Sequence, residues 1–166
     1  MNRTLIAVII LTLGLLIAGC GSETTQLPQI GKIAPDFQFQ GSNGQSVSLS
    51  DLKGMPVLLN FWQIRCPPCR GEMPYLQQVY DEWQAKELIL LAINIGESPS
   101  QIAEFMQSQG LSLPVLLDSQ GNIAQIYNIQ YIPSTFFIDK EGIIQEIKVG
   151  PFQSKAEIES ILSKLE

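Results

Sequence analysis

Val57-Leu58-Leu59-Asn60-Phe61-Trp62 is apolar at nearly every position and runs, through Gln63-Ile64-Arg65, into Cys66-Pro67-Pro68-Cys69. Such a run fits a strand buried on both faces of a sheet. Beyond it Met73, Leu76, Val79, Tyr80 and Trp83 recur at spacings of three and four, the period of a helix with one buried face. A buried strand therefore delivers two thiols to the start of a helix. Helix N-termini carry unpaired N–H groups and a partial positive charge, so a thiolate is stabilised there. Its pKa can fall well below about 8.5, which makes it a nucleophile at neutral pH. Two cysteines two residues apart can also close a disulfide across one helical turn. The chemistry implied is reversible thiol–disulfide exchange. Arg65 and Arg70 add positive charge that favours a thiolate at Cys66. Pro67 and Pro68 act against it, since each lacks an N–H that would serve the sulfur.

The rest of the chain alternates strands and helices. Ala34-Pro35-Asp36-Phe37-Gln38-Phe39 alternates polar and apolar, Asn43-Gly44 signals a turn, and Val47 and Leu49 continue the alternation, which predicts a hairpin. Ser50 to Gly54 reads as a turn or one helical turn. Leu88 to Ile95 is a second buried strand. Ser98-Pro99-Ser100-Gln101 offers a capping serine, a proline at the first helical position and a capping-box glutamine. Ile102, Phe105 and Met106 give that helix its inner face, and Gly110 ends it. Leu113 to Leu117 predicts a short strand, Ile123 to Tyr127 a short helix, Ser134 to Ile138 and Ile143 to Val149 a second hairpin, and Ser154 caps a last helix. Pro74 is expected to bend the long helix. The pattern indicates an α/β fold with a mixed central sheet flanked by helices.

The first residues read differently. Arg3, an apolar stretch from Leu5 to Ala18, and Ile17-Ala18-Gly19-Cys20 resemble a bacterial lipoprotein signal, with residues 1–19 removed and Cys20 lipidated. Residues 20–30 read as a lipidated cysteine and tether, and 31–166 as the folded domain. With Cys20 lipidated, the three cysteines leave one pair, Cys66 and Cys69. Export places that pair where disulfides persist. Nine Lys and Arg against sixteen Asp and Glu remain after Arg3 is lost, a net charge near −7, with no basic patch to recommend nucleic acid. The chain has no histidine, which removes imidazole metal ligands and any Cys–His catalytic pair. Neither a metal nor another cofactor is expected, and nothing points to an obligate interface, so a monomer is expected.

Three motifs now stand in order: Ala34-Pro35-Asp36-Phe37, then Asn60-Phe61-Trp62 with Cys66-Pro67-Pro68-Cys69, then Ile132-Pro133-Ser134-Thr135-Phe136-Phe137-Ile138-Asp139. From Gly31 onward the chain resembles the thioredoxin superfamily, and more closely its TlpA/ResA-type membrane-tethered thiol–disulfide oxidoreductases. The resemblance implies a thioredoxin-like fold with an extra N-terminal β-hairpin (Asp36 to Leu49) and a β-α insertion (Leu88 to Gln109). It implies that Cys66 attacks, that a more buried Cys69 resolves, that Glu72 is an acid/base for Cys69, and that Pro133 follows a cis peptide bond beside the pair. Trp62 is expected to pack beneath the site, with Arg65, Pro67, Pro68 and Ile132 on the side that meets a partner. The family carries an aromatic residue where this chain has Arg65, and cytoplasmic thioredoxins carry Asp where it has Asn60. Implied partners are exported protein thiols or disulfides, a membrane thiol-transporting electron donor, and the membrane itself through the N-terminal lipid. The implied task is reduction, for example in cytochrome c maturation, outside the cytoplasm.

Two other functions share this scaffold. A thiol peroxidase of the peroxiredoxin kind needs a threonine three residues before its reactive cysteine, where this chain has Gln63. A copper carrier would use two thiolates for Cu(I), but typically adds a histidine and a wider cysteine spacing.

Overall fold

The computed structural model describes residues 27–41 and 44–165. The expected signal over 1–19, lipidation at Cys20, the tether up to residue 26 and Asn43 of the turn lie outside the described residues. The hairpin forms as expected from β1 (Gln38–Gln40) and β2 (Ser46–Ser48), with Phe39 opposite Val47. A 3₁₀ turn over Leu49–Leu52 follows. The chain then builds β3 (Val57–Trp62), α1 (Pro67–Trp83), β4 (Ile89–Ile95) and α2 (Pro99–Gln109). It ends with β5 (Val115–Asp118), α3 (Asn122–Ile126), β6 (Ser134–Ile138), β7 (Ile144–Val149) and α4 (Lys155–Leu162).

The five long strands form one mixed sheet in the order β5-β4-β3-β6-β7, with β1 and β2 a separate pair. β3 lies at the centre, parallel to β4 and antiparallel to β6. Every β3 residue is buried, as its unbroken apolar run requires. Successive side chains of a strand point to opposite faces, so β3 serves two cores. Leu58 and Trp62 join a cluster with Cys69, Met73 and Leu76 of α1, Phe105 of α2 and Ile158 of α4. Val57, Leu59 and Phe61 join a second cluster with Phe37, Leu49, Ile123, Tyr127 and Phe136. The redox cysteines thus belong to one side of the sheet, and the hairpin and α3 cover the other.

Local signals place most element ends. Ser98 and Gln101 form the expected capping box, and Gly110 ends α2 at φ +64°, a conformation that costs glycine little. α1 continues through Pro74. One boundary differs. The strand expected over Leu113–Leu117 begins only at Val115, because the N–H groups of Ser112 and Leu113 donate to Gln77 Oε1 at 2.7 and 2.9 Å and so are lost to the ladder. Pro114 supplies only its carbonyl, which accepts from the Ala92 N–H at 3.0 Å.

Candidate active site

Where β3 ends, two side chains fix the path to the cysteines. Gln63 Nε2 donates to the Ile95 carbonyl at 3.0 Å. The Ile64 N–H donates to both oxygens of Glu97 at 3.0 Å, and Asn94 Nδ2 donates to Glu97 Oε2 at 2.6 Å. Glu97 is 6% exposed, so a buried carboxylate from the end of β4 holds the loop that precedes Cys66. The sequence reading did not find it. Its only signal was a carboxylate just beyond a buried strand, which resembles any loop residue.

Cys66 occupies the N-cap of α1, and Pro67 and Pro68 fill the first two helical positions, where their fixed φ suits the helix. Neither proline has an N–H. The first N–H of the helix is therefore that of Cys69, and it points at Cys66 Sγ from 3.2 Å. The prolines do not strip the sulfur of its donor, because the one donor left at the helix start is aimed at it. Cys66 and Cys69 are joined in a disulfide. Cys66 is 8% exposed, less than expected, and Cys69 is fully buried, so a partner can reach only Cys66. Opposite, the Ile132-Pro133 bond is cis, as the resemblance implies, and the Ile132 carbonyl oxygen lies 3.8 Å from Cys66 Sγ. Arg65, Arg70, Pro67 and Pro68 are exposed around the pair, and Trp62 is fully buried in the same cluster, its ring tilted at 43° to that of Phe105 with centroids 5.4 Å apart. A cleft of about 440 Å³ adjoins Ile132 and is lined by Gln63, Gln125, Asn128 and Gln130 together with Ile129 and Tyr131.

Glu72 lies one turn beyond Cys69, fully buried. Its Oε1 accepts from Asn60 Nδ2 at 2.8 Å and its Oε2 from the Phe152 N–H at 2.9 Å. Burial pushes its carboxyl up from 4.5 to about 7, against the opposing pull of the Phe152 N–H, the Asn60 amide and the charge of Lys148, while Glu157 adds to the rise. A carboxyl of this kind exchanges a proton near neutral pH, which an exposed glutamate cannot do. Asn60 Nδ2 also donates to Thr135 Oγ1 at 2.9 Å, so β3, β6 and α1 meet in one buried polar group.

Replacing Glu97 by alanine is expected to leave the Ile64 N–H and the Asn94 amide without their acceptor. The expected cost is about 1–3 kcal/mol. Urea unfolding measures it, and faster hydrogen exchange at the Ile64 amide localises it. Unchanged exchange there would show that Glu97 does not hold the loop.

Comparison with known proteins places this geometry. Residues 30–147 match the sequence profile described as the AhpC/TSA family. The chain is 38% identical to the thiol-disulfide oxidoreductase ResA of Bacillus subtilis (strain 168), across 72% of this chain and 67% of that protein. It is 35% identical to ResA of Bacillus thuringiensis (strain Al Hakam), across 99% of this chain and 97% of that one. Among solved structures, StoA from Bacillus subtilis superposes with a TM-score of 0.66 at 29% identity, covering 78% of this chain and 98% of its own. A thiol:disulfide interchange protein of the thioredoxin family from Chlorobium tepidum TLS gives 0.70 at 30% identity, covering 82% and 97%.

Proposed function

The chain belongs to the AhpC/TSA family and, within it, to the ResA-type thiol–disulfide oxidoreductases, and on that premise we propose that it works outside the cytoplasm as a lipid-anchored reductant of exported proteins, cytochrome c precursors among them. The observation that carries the reading is the position of Cys66 Sγ, 3.2 Å from the one N–H its helix start retains and 3.8 Å from the Ile132 carbonyl. A sulfur so placed is stabilised as a thiolate and lies beside backbone that an incoming chain can pair with.

The proposed reaction conserves two electrons. The Cys66 thiolate attacks a partner disulfide; a Cys66–partner bond forms, the partner's own S–S bond breaks, and one partner thiolate leaves and takes up a proton. Glu72 removes the Cys69 proton. The Cys69 thiolate then attacks Cys66 Sγ, the Cys66–Cys69 bond forms, and the second partner thiol departs. The partner has gained two electrons and two protons. A membrane thiol transporter, by this reading, restores the dithiol. The cleft beside Ile132, together with exposed Arg65, Pro67 and Pro68, forms the surface a partner chain would meet.

The reduction potential of the Cys66–Cys69 couple, measured against defined thiol buffers, tests the direction. A reductant is expected near or below about −270 mV, and a value near −120 mV would identify an oxidant instead. Anchoring is tested separately. Cys20→Ser is expected to move the expressed protein from the membrane fraction to the soluble one, and retention in the membrane would exclude the lipid as its anchor. Thiol peroxidases of the peroxiredoxin kind share this scaffold, but Gln63 stands where they need threonine and its amide is occupied by the Ile95 carbonyl. The reduced protein is accordingly expected not to consume hydrogen peroxide.

A further inference from the structure

The acid/base role proposed for Glu72 raises a difficulty that the surrounding groups resolve. As a carboxylate, Glu72 accepts two N–H bonds, from Asn60 Nδ2 and from Phe152. When protonated it must donate its O–H, yet both neighbours present donors. The Phe152 N–H cannot accept. The Asn60 side chain can, because a carboxamide carries a donor at one end and an acceptor at the other. Its Oδ1 is buried and has no hydrogen-bond partner among the described residues.

We propose that Asn60 is the positioning residue of the resolving step, its carboxamide turning over with each proton transfer. It donates from Nδ2 to ionised Glu72 and accepts at Oδ1 from protonated Glu72. Thr135 permits the reversal, since a hydroxyl both accepts and donates. It accepts from Nδ2 at 2.9 Å in the observed orientation and donates to Oδ1 in the other. Turning over exchanges one unpaired acceptor for one unpaired donor, so the number of unpaired atoms stays the same. Asn60, Glu72 and Thr135 are fully buried, so water does not compete for these bonds. The charged groups that face Glu72 from the other packed elements are Lys148 of β7 and Glu157 of α4, which are paired with each other at 2.7 Å. Neither is hydrogen-bonded to Glu72, so neither receives its O–H in place of Asn60. The inference rests on the acid/base reading of Glu72 and adds the group that accepts the O–H of its protonated form.

The test is nuclear magnetic resonance of the intact oxidised protein between pH 5 and 9, following the Glu72 carboxyl carbon and the Asn60 side-chain amide together. Both are expected to titrate with one midpoint, and the contact between the Asn60 Nδ2 protons and the Thr135 side chain is expected to fade below it. In Glu72→Gln the Asn60 amide is expected to show no transition. An Asn60 amide that keeps its Thr135 contact throughout, beside a titrating Glu72, would overturn the reversal and leave the role of Glu72 standing. A Glu72 carboxyl without a transition in this range would overturn both. Asn60→Asp supplies a kinetic readout of the contact between residue 60 and Glu72. Two carboxylates then face each other and retain a shared proton, so the midpoint of the pH profile for the Cys69 step is expected to rise by about one unit or more. An unchanged midpoint would count against Asn60 as the partner of the proton.

Discussion

Replacing Cys69 by serine is expected to abolish turnover while leaving the first attack intact. The two cysteines differ in access: Cys66 is 8% exposed at the helix start and Cys69 is wholly enclosed. A partner disulfide is therefore expected to meet Cys66, with Cys69 left to resolve the product. A serine hydroxyl cannot displace a disulfide sulfur at neutral pH, so the Cys66–partner species should accumulate in place of free enzyme. Incubation with an oxidised partner followed by mass measurement under non-reducing conditions reads it directly. The mirror variant, Cys66→Ser, should form no such adduct. If Cys66→Ser trapped partners and Cys69→Ser did not, the order of attack would be the reverse of the one proposed.

The second large effect concerns Glu72. In the oxidised protein its carboxyl sits near 7 against 4.5 when unfolded. Below about 4.5 both states hold the proton and Glu72 adds no pH dependence. As pH rises from 4.5 the unfolded chain releases the proton while the folded one keeps it, so stability falls until the folded group also ionises near 7. A shift of this size amounts to about 3 kcal/mol across the window. Glu72→Gln is expected to remove that slope. Its Oε1 would accept from the Phe152 N–H and its Nε2 would donate to Asn60 Oδ1 once that carboxamide turns over, the arrangement of the protonated acid held at every pH. The slope of unfolding free energy between pH 4.5 and 7 is thus the quantity to compare, rather than stability at one pH. The same variant should slow the resolving step by roughly 10²- to 10⁴-fold, the usual contribution of a positioned base. Retention of the full rate would remove Glu72 from the mechanism.

What the sequence shows of this molecule depends on how far apart the interacting residues lie along the chain. β3, α1 and the capping box at Ser98 were legible because each is a local pattern of period, cap or punctuation. The Cys66–Cys69 motif is four residues long and carries its own chemistry, and Glu72 follows one turn later. The surroundings of Glu72 were not legible. Thr135 is 75 residues from Asn60, and the second donor to Glu72 is the backbone N–H of Phe152, 80 residues away. A backbone donor has no residue type, so no motif could have signalled it. Asn60 stood out as a polar residue in an apolar run and as the position where cytoplasmic thioredoxins carry Asp, which marks a buried partner without naming it. Glu97 was missed for a related reason, since its target is the main chain of Ile64. The late start of β5 came from Gln77, a helix residue whose side chain captures two N–H groups of a distant segment.

The alternation of β3 has a consequence for how this domain tolerates its own chemistry. The disulfide, Trp62 and Glu72 share one face of the sheet, while Phe61, Tyr127 and Phe136 interlock on the other with ring centroids 4.9 to 5.8 Å apart. The sheet therefore divides the labour. One layer carries the disulfide and its surroundings, and the aromatic layer packs against the opposite face of the same strands. Substitutions in the rear layer should alter how long the domain survives and leave its potential unchanged, whereas changes around Trp62 should shift the potential. Durability and redox poise are then expected to respond to different substitutions of one chain.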